Sequence, residues 1–208
     1  MAIMPMFPLE SVLMPGMPLP LRIFEPRYLA MFADIMTGDA EFGVVLIERG
    51  TEVGGGDQRF PIGTVAHVRA YYALEGSTMA VAGGGRRIEV VRWLDHDTYP
   101  LAEVRDLPAL EWTPDLAERR AQTERCVRRL LATASEYIDV PWSLDEELAD
   151  DPVTAAWQLA GMAPIQTIDR YALLGSTSLT QLFDRIEEVC AEAEELIRMT
   201  ASPLELDD

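Results

Sequence analysis

The chain has 208 residues, 49% of them apolar, and a formal charge of −18 from 35 acids against 17 bases. That apolar share builds a folded core in one large or two small domains, and the excess of one sign disfavours binding to a phosphate backbone. Every base is arginine, and a chain without lysine holds no Walker A phosphate loop, no Schiff base and no Ser-Lys dyad, each of which needs that amine.

The N-terminal run is apolar but lacks a basic leading region, and Pro5, Pro8, Pro15, Pro18 and Pro20 interrupt it. It reads as neither a signal peptide nor a membrane span. Met14-Pro15-Gly16 is expected to form a loop, followed by Leu19-Pro20-Leu21. Pro26 then fits the first position of a helix with Tyr28, Leu29, Phe32, Ile35 and Met36 as its apolar stripe and Gly38 as its stop.

Strand patterns follow at Gly43 to Glu48, Thr64 to Leu74, Arg87 to Leu94 and Tyr99 to Val104. Glu75-Gly76-Ser77 suits a hairpin before TMAVAGG, and Asp95-His96-Asp97 suits another turn. Short strands at close spacing, without helices alternating between them, predict an antiparallel barrel or sandwich.

After Trp112-Thr113-Pro114 the period becomes helical. Val127, Leu130, Leu131, Ala134 and Ile138 mark one helix, Asp151-Pro152 opens a second that closes before Pro164, and Ile165 to Leu174 forms a third with Gly175 as its stop. In the last helix Ser178 and Gln181 have capping-box spacing, and Leu179, Leu182, Ile186, Val189, Ala193 and Leu196 step by three and four. That seam is expected to pack inside a bundle. Cys126 and Cys190 fall at apolar positions of these helices, which implies buried thiols in a reducing cytoplasm.

Few residues carry chemistry. The only histidines are His67, inside a strand pattern, and His96, in a turn; no HExxH or paired CxxC spacing accompanies them, so no metal site is expected. Gly175-Ser176 lacks the Gly-x-Ser-x-Gly elbow. The triple glycines Gly54 to Gly56 and Gly83 to Gly85 read as a flexible loop and as a close strand approach or bulge, because phosphate loops lie between a strand and a helix. Glu118, Arg119, Arg120, Glu124, Arg125, Arg128 and Arg129 read as a solvated face with pairs at helical spacing. Arg86 and Arg87, after three glycines at a strand start, are candidate contacts for a ligand carboxylate, with one of them expected to pair within the fold.

Phe7-Pro8-Leu9, Met14-Pro15-Gly16, Leu19-Pro20-Leu21 and Phe24-Glu25-Pro26-Arg27-Tyr28 together resemble the start of the Lon protease N-terminal, substrate-binding domain. The likeness continues in order through Phe42 to Leu46, Ile62 to Ala66, Gly85 to Ile88 and Tyr99 to Val104, and then through Asp151 to Arg170 and Leu182 to Glu188. It implies an α+β fold: a PUA-like antiparallel β-barrel with one inserted helix over residues 1–112, an α-helical bundle over 113–200, and an acidic tail at 201–208. Full Lon proteases continue into ATPase and peptidase modules, whereas this chain has no lysine for either; the expectation is a stand-alone, non-enzymatic form without cofactor.

The resemblance further implies a cytoplasmic protein-binding module that takes apolar segments of unfolded or damaged proteins, as an adaptor to a separate protease or chaperone, with no nucleic acid or membrane partner. Methionine suits adaptable apolar surfaces because its unbranched thioether repacks against varied side chains. Met14, Pro15, Met17, Phe24, Tyr28, Tyr71 and Tyr72 are the candidate peptide contacts, and an extended peptide could also add to a barrel edge strand. The alternatives are an RNA-binding PUA-like protein, which the charge opposes, and a hydrolase using the acids near Asp95.

Overall fold

The computed structural model describes residues 1–49, 58–95 and 98–201. Among them are six strands and five α-helices, and the chain divides into two compact units, Met1–Ala109 and Leu110–Asp208.

The first unit holds β1 (Ala2–Leu9), β2 (Pro18–Ile23), α1 (Pro26–Ile35), β3 (Glu41–Arg49), β4 (Gln58–Leu74), β5 (Ser77–Leu94) and β6 (Leu101–Asp106). The strand order is β2-β5-β4-β3-β1-β6. Because β5 also pairs with β6, strands β5, β4, β3, β1 and β6 close a ring, and β2 stands outside it on β5. Met4, Met6, Val45, Val65, Ile88, Ala102 and Val104 form one core cluster, with Val90 and Trp93 packed against it.

The sheet is mixed, which corrects the antiparallel expectation. β1 runs parallel to β3, from Met6 opposite Gly43 to Leu9 opposite Leu46. A parallel pair needs a long crossover, and the chain from residue 10 to 40 supplies it, carrying β2 and α1. Pro5 and Pro8 fit inside β1 because it changes partner: residues 2–5 pair with β6 and residues 6–9 with β3. Each half is therefore an edge on one side, where a missing N–H costs no ladder bond.

Helix α1 starts at Pro26 as expected but ends at Ile35, before Gly38. The Gly38 and Ala40 amides both donate to the Ile35 carbonyl, and Ala40 takes the left-handed conformation, with φ 54°. Phe7 stacks on Tyr28 of α1 at 4.1 Å and sits 6.0 Å from Phe42. Tyr28 is thus held by a buried aromatic row.

In the second unit a 3-10 turn precedes α2 (Ala117–Ala134), α3 (Pro152–Met162), α4 (Thr167–Leu174) and α5 (Leu179–Ala201). Helix α2 ends at Ala134, so Ile138 lies beyond it and is exposed. The capping of α5 is shared: Ser178 Oγ accepts from the Gln181 amide, and Gln181 Oε1 accepts from the Thr177 amide at 2.7 Å. Arg119 pairs with Asp184 and Glu187, Thr123 donates to Glu187, and Arg129 pairs with Glu194. Those partners advance together, so α2 and α5 run in the same direction and the basic face of α2 is tied to its neighbour rather than solvated alone. No helix among the described residues is long and apolar enough to cross a membrane.

Candidate functional site

The opening motifs build one wall of a cleft in the first unit. Phe7 and Leu9 of β1, Leu19 to Ile23 of β2, and Phe24, Glu25 and Tyr28 at the start of α1 enclose about 250 Å³. The apolar floor follows from the two-residue period of β2, in which Leu19, Leu21 and Ile23 are buried and Pro18, Pro20 and Arg22 are exposed. Glu25 and Arg27 form an ion pair at 3.1 Å beside it, and the Arg27 guanidinium lies 4.6 Å from the centre of the Tyr28 ring.

The outward face next to this cleft carries apolar side chains on three strands, with Arg22 at its border. Pro20 of β2 lies opposite Val81 of β5, which lies opposite Ala70 of β4. In the adjacent row Arg22 faces Met79, and Met79 faces Tyr72. Directly paired residues share a sheet face, so Pro20, Val81, Ala70, Met79 and Tyr72 form one strip, continued by Leu74. Tyr72 is 59% and Val81 44% exposed. Apolar surface concentrated in this way is a mark of interaction sites.

The free edge of β2 does not offer a strand ladder. The Met17 carbonyl accepts from the Gly84 amide on β5, which directs the main-chain groups of residues 19, 21 and 23 toward β5 and those of 18, 20 and 22 away from it. Two of these three outward positions are prolines without an N–H. Strand addition at this edge, one of the modes expected from the sequence, is therefore disfavoured.

Of the expected contact residues, Phe24 and Tyr72 reach the surface at the cleft and on the strip. Tyr71 is also exposed but points to the opposite sheet face from Tyr72, where it meets the edge of Phe32 at 5.3 Å. Met14, 1% exposed, and Met17 are core residues, so they provide no surface; Pro15 is half-buried. The reason is that their turn lies on β5: the Gly16 amide donates to the Gly84 carbonyl, and the Gly84 amide returns a bond to the Met17 carbonyl. Tyr28 is buried under Phe7 and contributes only to the wall.

One of the two arginines was expected to pair within the fold, and both do. Arg86 already meets two carboxylates, Glu41 at 3.0 Å and Asp106 at 3.1 Å, and Glu41 also contacts His67 at 3.2 Å. Arg87 is buried and donates to the Pro108 carbonyl at 2.8 Å. Burial lowers its pKa from the ordinary guanidinium value. His96 and Asp97 of the expected Asp95 turn, and the glycines at 54–56, lie outside the described residues.

Pro18, Pro20, Ala70, Met79 and Val81 escaped the sequence reading. Their signal was an alternation whose outward positions are themselves apolar in TMAVA and, apart from Arg22, in PLPLRI, together with proline at two successive outward positions, which marks an unpaired edge.

Residues 3–191 match the family model of the ATP-dependent protease La (LON) substrate-binding domain. Lon protease 2 of Herpetosiphon aurantiacus is 24% identical over 210 residues, covering 94% of this chain and 24% of that protein. Lon protease of Heliobacterium modesticaldum is 22% identical over 205 residues, with the same two coverages. The chain thus spans about a quarter of the length of these curated relatives. The crystal structure of a Lon N-terminal domain protein from Xanthomonas campestris aligns with a TM-score of 0.63 at 26% identity, over 92% of this chain and 98% of that one. The N-terminal domain of the Mycobacterium avium complex Lon protease shares the fold, with a TM-score of 0.65 at 18% identity, over 92% and 99%. The matched segment, the mixed α+β fold and the order of the motifs agree, and the chain belongs to the LON substrate-binding domain family.

Proposed function

We propose that the first unit recognises exposed apolar side chains in unfolded or damaged protein segments, and that the chain acts as a non-catalytic adaptor for a separate protease or chaperone in the cytoplasm. The observation that carries this reading is the outward apolar strip of Pro20, Val81, Ala70, Met79 and Tyr72 beside the cleft that Phe24 borders. Its closed ring of strands supports a PUA-like barrel as the scaffold. The prolines on the β2 edge favour side-chain burial over strand addition, which suits a receptor for many sequences, since apolar contact is non-directional. The charge of −18 weighs against RNA on the same scaffold.

The test is fluorescence anisotropy of a labelled model protein, unfolded and folded, titrated with the whole chain without nucleotide. Preference for the unfolded form is expected. Tyr72→Asp combined with Val81→Asp should weaken it about tenfold or more, as loss of an aromatic anchor does at interfaces, while the melting temperature changes little because both side chains are exposed. Equal affinity for both forms, unchanged affinity in the variant, or tight RNA binding at low salt would overturn the reading.

A further inference from the structure

The second unit carries a larger groove of its own. The segment after α2, the start of α4 and the end of α5 enclose about 770 Å³. Ile138, Val140, Ile165, Val189, Leu196 and Ile197 supply its apolar lining. The seam of α5 explains the opening: Leu179, Leu182 and Ile186 are buried, Val189 and Ala193 are half-buried, and Leu196 is 56% exposed. The seam thus leaves the core and becomes groove wall.

The charge around this lining is of one sign. Asp139 after α2, Asp169 on α4 and Glu192 on α5 border it from three segments, and none of them is in an ion pair among the described residues. Elsewhere on α2 and α5 the fold supplies cations for its acids: Arg119 meets Asp184 and Glu187, Arg128 meets Glu124, and Arg129 and Arg198 both meet Glu194. The one base in the lining, Arg170, does not offset the rim, because its guanidinium donates to the Ala163 carbonyl at 2.8 Å and its Nε is enclosed. Complementarity to such a surface requires apolar side chains for the floor and cations beside them for the rim.

The walls also restrict the backbone of a bound chain. The second unit has no strand among the described residues, so it offers no ladder to extend. Pro141 and Pro164, in the loop segments of the lining, have no N–H to give. A polypeptide lying on this floor keeps its main-chain hydrogen bonds to itself, as an α-helix does.

The geometry points to this groove as the docking site for a basic amphipathic helix of a partner protein, its apolar stripe on Ile165, Val189 and Leu196 and its flanking lysines or arginines against Asp139, Asp169 and Glu192. The site uses a different unit and different residues from the strip of the first unit, so either can fail alone.

The test uses the full chain and three fluorescein-labelled peptides of about 18 residues, read by anisotropy at low salt. One is a helix former with leucines stepping by three and four and lysines on both sides of that stripe. The second has glutamate for lysine, and the third keeps the lysine composition but scatters the leucines off the stripe. The first should bind about tenfold more tightly than either control, gain helical circular dichroism on binding, and weaken as salt is raised. Asp139→Asn with Glu192→Gln should cut its lead over the glutamate peptide about threefold or more. Glu111→Gln with Glu118→Gln, exposed acids before and at the start of α2, removes the same charge about 24 Å of helix rise away from Ala134 and should leave that lead unchanged. Ile138→Asn with Leu196→Asn, 57% and 56% exposed, should weaken the first peptide about tenfold.

Equal binding of the striped and scattered lysine peptides would overturn the inference without any variant. Equal losses in the two acid variants would overturn it as well, by showing that net charge alone attracts the peptide. Loss of peptide binding in Tyr72→Asp with Val81→Asp assigns the peptide to the first unit; that result overturns this inference and leaves the protein-recognition reading standing. Binding of the striped peptide as expected, with no binding of unfolded protein, supports this inference and removes that reading.

Discussion

A Cβ built on Gly84 falls onto the carbonyl oxygen of Met14. The Met-Pro-Gly turn and the triple glycine, seventy residues apart, are thus two halves of one contact. The bonds from the Gly16 amide to Gly84 and from the Gly84 amide to Met17 fasten it, and Thr64 Oγ1 donates to the Leu13 carbonyl at 2.6 Å beside it. Gly16 itself is left-handed, with φ 74°, a conformation that glycine adopts without strain. Gly84→Ala should cost about 1–3 kcal/mol, toward the upper end because the atom it meets is main chain rather than a movable side chain. Denaturant unfolding measures this, and Gly85 is no substitute control, since its Cβ would meet His67 at 2.5 Å.

Opening the β2 edge should make the protein associate with itself. Pro18 and Pro20 remove two outward donors from a strand whose only sheet neighbour among the described residues is β5. Pro18→Thr with Pro20→Val restores both N–H groups and adds β-branched side chains on the same edge. Sedimentation velocity over a range of concentrations is expected to show concentration-dependent assembly for this variant and a constant coefficient for the parent. Absence of any difference would mean that the prolines do not guard the edge.

The second unit was legible where its helices announce their own boundaries, and less so at the end of α2, which stops before Ile138. Asp151-Pro152, Gly175 and the Ser178 to Gln181 pair are local signals, acting within a turn of the residues they serve. The sheet was less legible. Strand positions at 43–48 and 64–74 follow from a local apolar run and from local alternation, but the parallel pairing of β1 with β3 is set by partners some forty residues apart. The site failed at the methionines for the same reason: whether Met14 faces solvent depends on Gly84, and no feature of residues 14–17 alone reveals that lid. Arg87 is similar, since its acceptor at Pro108 is main chain and main chain has no sequence signature.

The two thiols should be inert in the folded chain. Cys126 on α2 and Cys190 on α5 are free and buried, and they neighbour each other across the parallel helices. Burial raises both thiol pKa values above the ordinary range, and at Cys190 the neighbouring Cys126 adds to the rise. The thiolate is the reactive form. Alkylation by iodoacetamide at about pH 8 should therefore run more than about tenfold slower in native buffer than in denaturant, with mass spectrometry reading both sites. Equal rates in the two buffers would show that the helix pair opens readily.

The start of α3 makes stability depend on pH in a definite direction. Asp151 sits at the N-cap, where its Oδ2 accepts from the Thr154 amide at 2.8 Å and from the Thr154 hydroxyl at 2.6 Å. These bonds favour the charged form and hold its pKa below the usual carboxylate value of 3.8. A carboxylate depressed on folding contributes stability that is fully present above its unfolded pKa and is lost as pH falls through the lower folded value. The group is almost fully exposed, so solvent screens the charge and the cap itself sets the scale. Asp151→Ala should cost about 1 kcal/mol near neutral pH. Asp151→Asn should retain much of the cap, because its amide oxygen still accepts, while removing the titration. Unfolding curves at a series of pH values are expected to show the gap between parent and Asp151→Ala narrowing as pH drops below about 4, with the Asn variant flat relative to Ala over the same window. A gap that stays constant through that window would place the contribution of Asp151 in packing rather than in its charge.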